Sequence, residues 1–187
     1  EGVEGAGEGL VAAAGAFGGD YDTPEQRVGR FQADRPWESC ITIGTQWAWK
    51  PDEELKSTDE CVRTLVTCAG GDGNLLLNVG PMPTGEIEPR QAARLREVGA
   101  WLSANGEAVY GTRGGPFLPG DWGVSTHRES LVYVHVLRWP AEAAVVLPAL
   151  ERGVVAASVL GGGAARVTQS GAATEIRIDP AHRQPID

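Results

Sequence analysis

The sequence predicts an α/β region followed by an all-β region, and three observations carry that prediction. Between residues 40 and 105 short apolar runs alternate with segments of helical periodicity, the rhythm of a sheet with crossover helices. Leu75-Leu76-Leu77-Asn78-Val79 is almost continuously apolar between Gly73 and Gly80, the pattern of a strand buried on both faces of a parallel sheet. After about Gly114 the helical period disappears and glycine-punctuated β-like runs take over. The chain therefore divides into residues 1–114, read as part of an α/β barrel or open sheet, and residues 115–187, read as an antiparallel β-sandwich.

Taken in order, residues 1–19 are rich in glycine and alanine with few anchoring side chains, and read as a surface segment. The run GDYDTPEQ at 19–26 mixes turn formers with carboxylates and reads as a loop. A polar connector leads to Arg35-Pro36-Trp37-Glu38, a short strand over 40–43, and then Thr45-Gln46-Trp47-Ala48-Trp49 and a Pro51-Asp52 turn. A helix is predicted over 58–68, because Ser57 and Glu60 have capping-box spacing and Cys61, Leu65 and Cys68 recur on one face; Gly70-Gly71 ends it. Pro89 opens a second helix with Leu95, Val98, Trp101 and Leu102 on its inner face, closing near Asn105-Gly106. The β-like runs that follow are 131–138, 145–147, 154–160, 165–168 and 174–178, with Gly161 to Gly163 as a turn.

The net charge of -9, from 25 acidic against 16 basic residues, would repel a phosphate backbone, so nucleic acid is excluded as a partner. The longest apolar runs fall far short of the roughly 20 residues that cross a bilayer, so no membrane span is predicted. The N-terminus lacks the basic-then-apolar order of a signal peptide, since Glu1, Glu4 and Glu8 interrupt it. Cys61 and Cys68 are too far apart along a helix for a disulfide, about 10.5 Å by helical rise, and read as buried thiols; Cys40 reads as core packing. His127, His135 and His182 show no metal-ligand spacing, and His135 reads as a packed or edge strand residue. No cofactor is predicted: the glycine cluster at 70–73 precedes a strand, not a helix, and no phosphate-binding loop is present. Asn78 reads as a residue that points toward a barrel end or satisfies a neighbouring backbone group.

Chemistry concentrates between Asp20 and Trp49, where Asp20, Asp22, Glu25 and Glu38 share a stretch with Trp37, Trp47 and Trp49. Aromatic faces pack against the C–H face of a pyranose, while carboxylates bond hydroxyls and handle the glycosidic oxygen's proton. A carboxyl held against tryptophan is also desolvated, which favours its protonated form. From composition alone the opposite reading stands level with this one: core tryptophans beside a solvated acidic loop.

GDYDTPEQ, RPWESCITIG with TQWAW, GGDGNLLLNVGPMPTGEI and RLREVGAWLSANGEAVYGT, in this order and spacing, resemble the C-terminal half of family 29 α-L-fucosidases over residues 19–112. The part from about Gly114 onward resembles that family's C-terminal β-sandwich more weakly. The resemblance implies that residues 1–114 are the C-terminal portion of a catalytic (β/α)-barrel, with the β-sandwich following. It also implies a retaining hydrolase that releases terminal α-L-fucose from glycans through a covalent intermediate, using an aspartate nucleophile and a carboxylic acid/base. Glu25, in the TPE motif, matches the acid/base position of bacterial members; Glu38, in the WE motif, is the rival and ranks second. Trp47 falls where the family sets an aromatic residue against the fucose methyl group, and Trp37 is expected as its neighbour in the substrate site.

The same resemblance implies that the nucleophile, the hydroxyl-binding histidines and an arginine that precedes the TPE loop have no counterparts among these residues. The expected partners are therefore a fucosylated glycan and the remainder of the barrel, and the fragment alone is expected to be inactive and to stop, at Pro185-Ile186-Asp187, short of the last sandwich strand. A secreted or periplasmic location is implied by the family only. The competing expectation is a non-catalytic carbohydrate-binding or structural β-domain whose loop carries tryptophans.

Overall fold

A computed structural model of the chain describes residues 20–141 and 144–183; the glycine- and alanine-rich start and the 185–187 end lie outside the described residues. The organising unit is a parallel pair, β1 (Glu38–Thr42) and β2 (Asn74–Asn78), joined by the crossover helix α1 (Thr58–Gly70). α1 starts as expected. The Ser57 side chain accepts from the Glu60 N–H while the Glu60 carboxylate accepts from the Ser57 N–H, which satisfies two otherwise orphaned donors. β2 (Asn74–Asn78) lies in register with β1, Glu38 opposite Asn74 through Thr42 opposite Asn78.

The 19–26 segment is not the loop the sequence predicts. Its residues 22–26 lie extended and parallel along the free edge of β1, with Asp22 N–H donating to Pro36 O (3.0 Å), Glu38 N–H to Asp22 O (2.9 Å), Cys40 N–H to Pro24 O (3.0 Å) and Gln26 N–H to Cys40 O (2.9 Å). Alternate residues face β1, and Pro24 has no N–H for its rung, so the ladder is broken in the middle and reads as two separate bridges. The TPE motif that hides the strand in the sequence is the cause of that break.

Strand alternation gives this three-segment sheet two unlike faces. Leu77, Val79 and Ile43 turn toward the helices, where Cys61, Val62 and Val66 of α1 and Val98 of α2 (Pro89–Asn105) complete one core with the partly buried Trp101 and Leu102. Leu95, predicted on the inner face of α2, is 37% exposed, because the helix meets its neighbours along the Val98–Trp101–Leu102 side. The opposite face carries Glu38, Cys40, Thr42, Asn74, Leu76 and Asn78. Leu76 is 45% exposed, so β2 is not covered on both sides by the described residues as its apolar run predicts.

Trp37, just before β1, belongs to the helix side. It is 3% exposed, and its indole N–H donates to Gly71 O (3.2 Å). A Cβ at Gly29, Gly71 or Gly73 would press into the indole ring, so these glycines form the bed on which it lies.

The remainder is antiparallel. β3 (Arg113–Gly114), β4 (Gly123–Arg128) and β5 (Leu131–Val136) form one sheet; β6 (Val145–Pro148), β7 (Ala165–Gln169) and β8 (Ala173–Ile178) form another in the order β6-β8-β7. Phe117 and Val136 from the first region pack with Val145 and Leu147 of the second. The expected strand at 154–160 does not form. There the Val154 N–H donates to the Gln169 side chain (2.6 Å) in place of a strand partner, Val155 is fully exposed, and only Ser158 makes a bridge, to Ala164. β4 escapes sequence reading because it has one large apolar residue. Its Ser125 and Thr126 are buried yet satisfied: the Ser125 hydroxyl donates to Phe117 O (2.9 Å), and the Thr126 hydroxyl to Ala108 O (2.6 Å). Val124 of β4 lies in the helix-side core, and Asp72 at the end of α1 accepts from Arg113 Nε (2.8 Å) and Gly114 N–H (2.7 Å), so the antiparallel part is tied to the parallel part.

His135 is packed, as expected, with Nε2 3.2 Å from the Thr126 hydroxyl. Since that hydroxyl gives its proton to Ala108, the ring nitrogen serves as donor. Burial pushes the His135 pKa down to about 4, against a smaller raising effect from its hydrogen bond with the Ala108 backbone.

Two outcomes follow from this packing. The neutral ring is the folded form, so His135 contributes stability that is complete above its ordinary pKa near 6.5 and is lost as pH falls toward about 4, by an amount on the order of 3 kcal/mol; urea midpoints measured between pH 7 and 4 should drop less steeply in His135→Gln than in the wild type. Trp37→Ala should lower the unfolding free energy by about 3–5 kcal/mol in the same assay, and a near-neutral result would remove Trp37 from the core.

Candidate active site

The open face of the sheet gathers the acidic residues singled out in the sequence. Parallel pairing sets Glu25 directly beside Cys40, and Glu38 two residues earlier on β1 shares the Cys40 face. By strand spacing the Glu25 and Glu38 Cα atoms are roughly 8 Å apart. Burial raises the Cys40 thiol's pKa, and the charges of Glu25 and Glu38 raise it further, so both carboxylates act on the one thiol between them. Cys40 is therefore a neutral, half-buried spacer on this face and not the core residue that the sequence predicts.

The two carboxylates differ in height along the sheet. Glu38 opens β1 at its N-terminal end. Glu25 stands at the C-terminal end of its segment, because the chain leaves the sheet at Gln26, whose φ is 54°. Gln26 covers its own departure: its side-chain Oε1 accepts from the Thr42 N–H (3.3 Å), the donor that a continuing strand would have met, and its Nε2 donates to the Thr42 hydroxyl (3.2 Å). This role of Gln26 has no signal in the sequence, since it depends on where the extended segment ends.

The C-terminal edge is completed by the loop after β1. Asn78, on the open face of β2, donates from Nδ2 to Trp47 O (3.0 Å), which brings the Trp47 backbone over that edge, as the backbone-satisfying role predicted for Asn78 requires. The Trp47 side chain is 38% exposed, while Trp49 is held by donation from its indole N–H to a Glu88 carboxylate oxygen (3.2 Å). Trp47 is thus held at the Thr42–Asn78 end of the open face, and Glu25 stands on the same face level with Cys40, at the end of its own extended segment. Trp37 does not join them: adjacent residues of a strand point to opposite faces, and Trp37 is committed to the core beneath Gly29, Gly71 and Gly73. Its expected place beside Trp47 is corrected accordingly.

The residue that sequence reasoning missed is Glu53. It is 3% exposed, and its Oε1 accepts from the Thr45 N–H (2.6 Å), the Thr45 hydroxyl (2.8 Å) and the Gln46 N–H (3.1 Å). Burial works to raise its pKa, but the hydrogen bonds from Thr45 and Gln46 and the Lys50 charge outweigh it, and the carboxyl stays below its ordinary value. Lys56 Nζ donates to Thr42 O (2.7 Å) and Gly44 O (3.1 Å), fastening the base of the same loop.

Among the described residues no group of three or more His, Cys, Asp or Glu side chains could hold a metal ion, and no helix is long and apolar enough to cross a membrane. What the edge can offer chemically is a carboxyl group, an exposed indole face and neutral amides and hydroxyls, the set suited to a neutral, polyhydroxylated ligand.

Comparison with known proteins gives the same direction. The family model described as alpha-L-fucosidase matches residues 7–107, more than half of the chain. Plasma alpha-L-fucosidase of Homo sapiens is 35% identical over 120 residues, covering 59% of this chain and 26% of that protein. Tissue alpha-L-fucosidase of Homo sapiens is 33% identical over 137 residues, covering 66% and 28%. The solved structure of alpha-L-fucosidase isoenzyme 1 from Paenibacillus thiaminolyticus superposes with a TM-score of 0.77 at 30% identity, over 89% of this chain and 42% of that one. The chain spans about a quarter of the length of these curated relatives. With its mixed fold of helices and antiparallel sheets matched by fucosidase structures, the chain belongs to the alpha-L-fucosidase family.

Proposed function

We propose that this chain is the C-terminal part of a retaining α-L-fucosidase, supplying the acid/base and one aromatic wall of its active site. The observation that carries the reading is that Glu25, at the C-terminal end of its own extended segment, lies on the open face of the parallel sheet, with Trp47 held at the C-terminal end of β2. In α/β barrels that is the end where catalytic groups gather. The segment 22–26, β1 and β2 serve as the last strands of a (β/α)-barrel within residues 1–114. Residues 115–187 serve as a supporting β-sandwich. The exposed Leu76 supports this, since a parallel sheet is stable only with both faces covered; the uncovered face is the barrel lumen, closed by strands from the rest of the parent chain.

On this reading the substrate is a glycan with a terminal α-L-fucose. As an aspartate outside these residues attacks the anomeric carbon, Glu25 gives its proton to the departing glycosidic oxygen. It then takes a proton from the water that hydrolyses the fucosyl-enzyme. Trp47 packs against the apolar side of the fucose ring and its methyl group. Glu25 is preferred over Glu38 because Glu38 stands at the N-terminal end of β1, the stability end of a barrel strand.

The test uses the longer polypeptide with its upstream strands. Glu25→Ala should slow hydrolysis of aryl α-L-fucosides with poor leaving groups about 10²–10⁴-fold, spare activated ones far more, and be rescued by azide. If Glu38→Ala shows the selective pattern and Glu25→Ala does not, the acid/base is Glu38.

A further inference from the structure

The loop that carries Trp47 is fixed by a buried ion. Three donors from two consecutive residues, Thr45 and Gln46, converge on one oxygen of Glu53, whose carboxylate returns from the far side of the Pro51-Asp52 turn. The approach is so close that a Cβ on Gly44 would overlap the carboxylate, so only glycine fits there. A buried carboxylate is costly unless its lone pairs are met, and here Lys50 adds favourable charge. The donors end at Gln46, one residue before Trp47, whose carbonyl is taken by Asn78. Both sides of Trp47's backbone are thereby tied down while its indole remains exposed.

We infer that Glu53 is a positioning residue for the sugar site, holding the 44–47 loop so that the Trp47 indole faces the ligand over the open edge. The inference rests on the fucosidase reading for what Trp47 meets, but not for how Trp47 is held. A loop only needing closure would be served by neutral contacts. An acceptor that receives three donors at once instead sets the direction of the two peptide planes preceding Trp47.

The test is fluorine NMR of the 187-residue chain labelled with 5-fluorotryptophan, in which the Trp47 resonance is the one lost in Trp47→Phe. Glu53→Gln replaces half of the carboxylate by a donor and should displace or split the Trp47 resonance while those of Trp37, Trp101, Trp122 and Trp139 keep their positions. Thr45→Val removes one donor only and should displace it less; it carries the test if Glu53→Gln does not fold. An unmoved Trp47 resonance in a folded Glu53→Gln or Thr45→Val protein overturns the inference, as does equal movement of all the tryptophans, which would make Glu53 merely structural. Saturation transfer to methyl α-L-fucoside, measured on the longer polypeptide with its upstream strands, separates the two readings. Transfer to the wild type that is lost in Trp47→Phe and reduced in Glu53→Gln supports both. No transfer to the wild type, with the Trp47 resonance still displaced by Glu53→Gln, counts for the positioning role and against the fucose reading.

Discussion

β1 shares its backbone with two neighbours, residues 22–26 on one edge and β2 on the other, and the rest of the molecule depends on that shared ladder. Hydrogen bonding fixes the register. Register fixes which side chains face the helices, because the side-chain period of a strand is two. Ile41 and Ile43 are buried, while Glu38, Cys40 and Thr42 take the other side. A slip of one residue would send Trp37 to the open face and Glu38 into the core, where an unpaired carboxylate is costly. The missing rung at Pro24 and the departure at Gln26 then decide how high on the sheet Glu25 stands.

The antiparallel part is attached to this unit by packing and by charge. Val124 presses on Gly70 at the end of α1, where any side chain would collide with it. The Asp72 carboxylate, whose pKa falls below its ordinary value because Arg113 and Gly114 hydrogen bonds outweigh burial, joins the α1–β2 turn to β3. The polar residues of β4 remain buried without penalty because each has a backbone or ring partner.

Much of this was legible in the sequence where a residue's role is local. The capping box of α1, the proline opening α2, the burial of Cys61 and Cys68 and the packing of His135 depend on near neighbours or simple alternation. What could not be read depends on partners distant in sequence. Trp37 and Trp47 look alike in composition, and only the start of β1 at Glu38 shows that Trp37 faces the core. Residues 22–26 pass for a loop because a strand with a proline rung and two acids lacks the apolar signature. Glu53 looks like any acid after a Pro-Asp turn until its three donors are in view. Leu75 to Leu77 promise coverage on both faces that the described residues supply on one, since periodicity reports what a strand requires and not which part of a chain provides it.

On the proposed reading the acid/base and one aromatic wall of the site lie among these residues, and the nucleophile is supplied from elsewhere in the parent barrel. That central claim is tested most directly by the turnover of 4-nitrophenyl α-L-fucoside by the pure 187-residue chain beside the same chain carrying its upstream strands. The account predicts hydrolysis by the extended polypeptide and none above background by the 187 residues alone. Measurable turnover by the pure short chain would contradict it, because the attacking group would then lie among these residues.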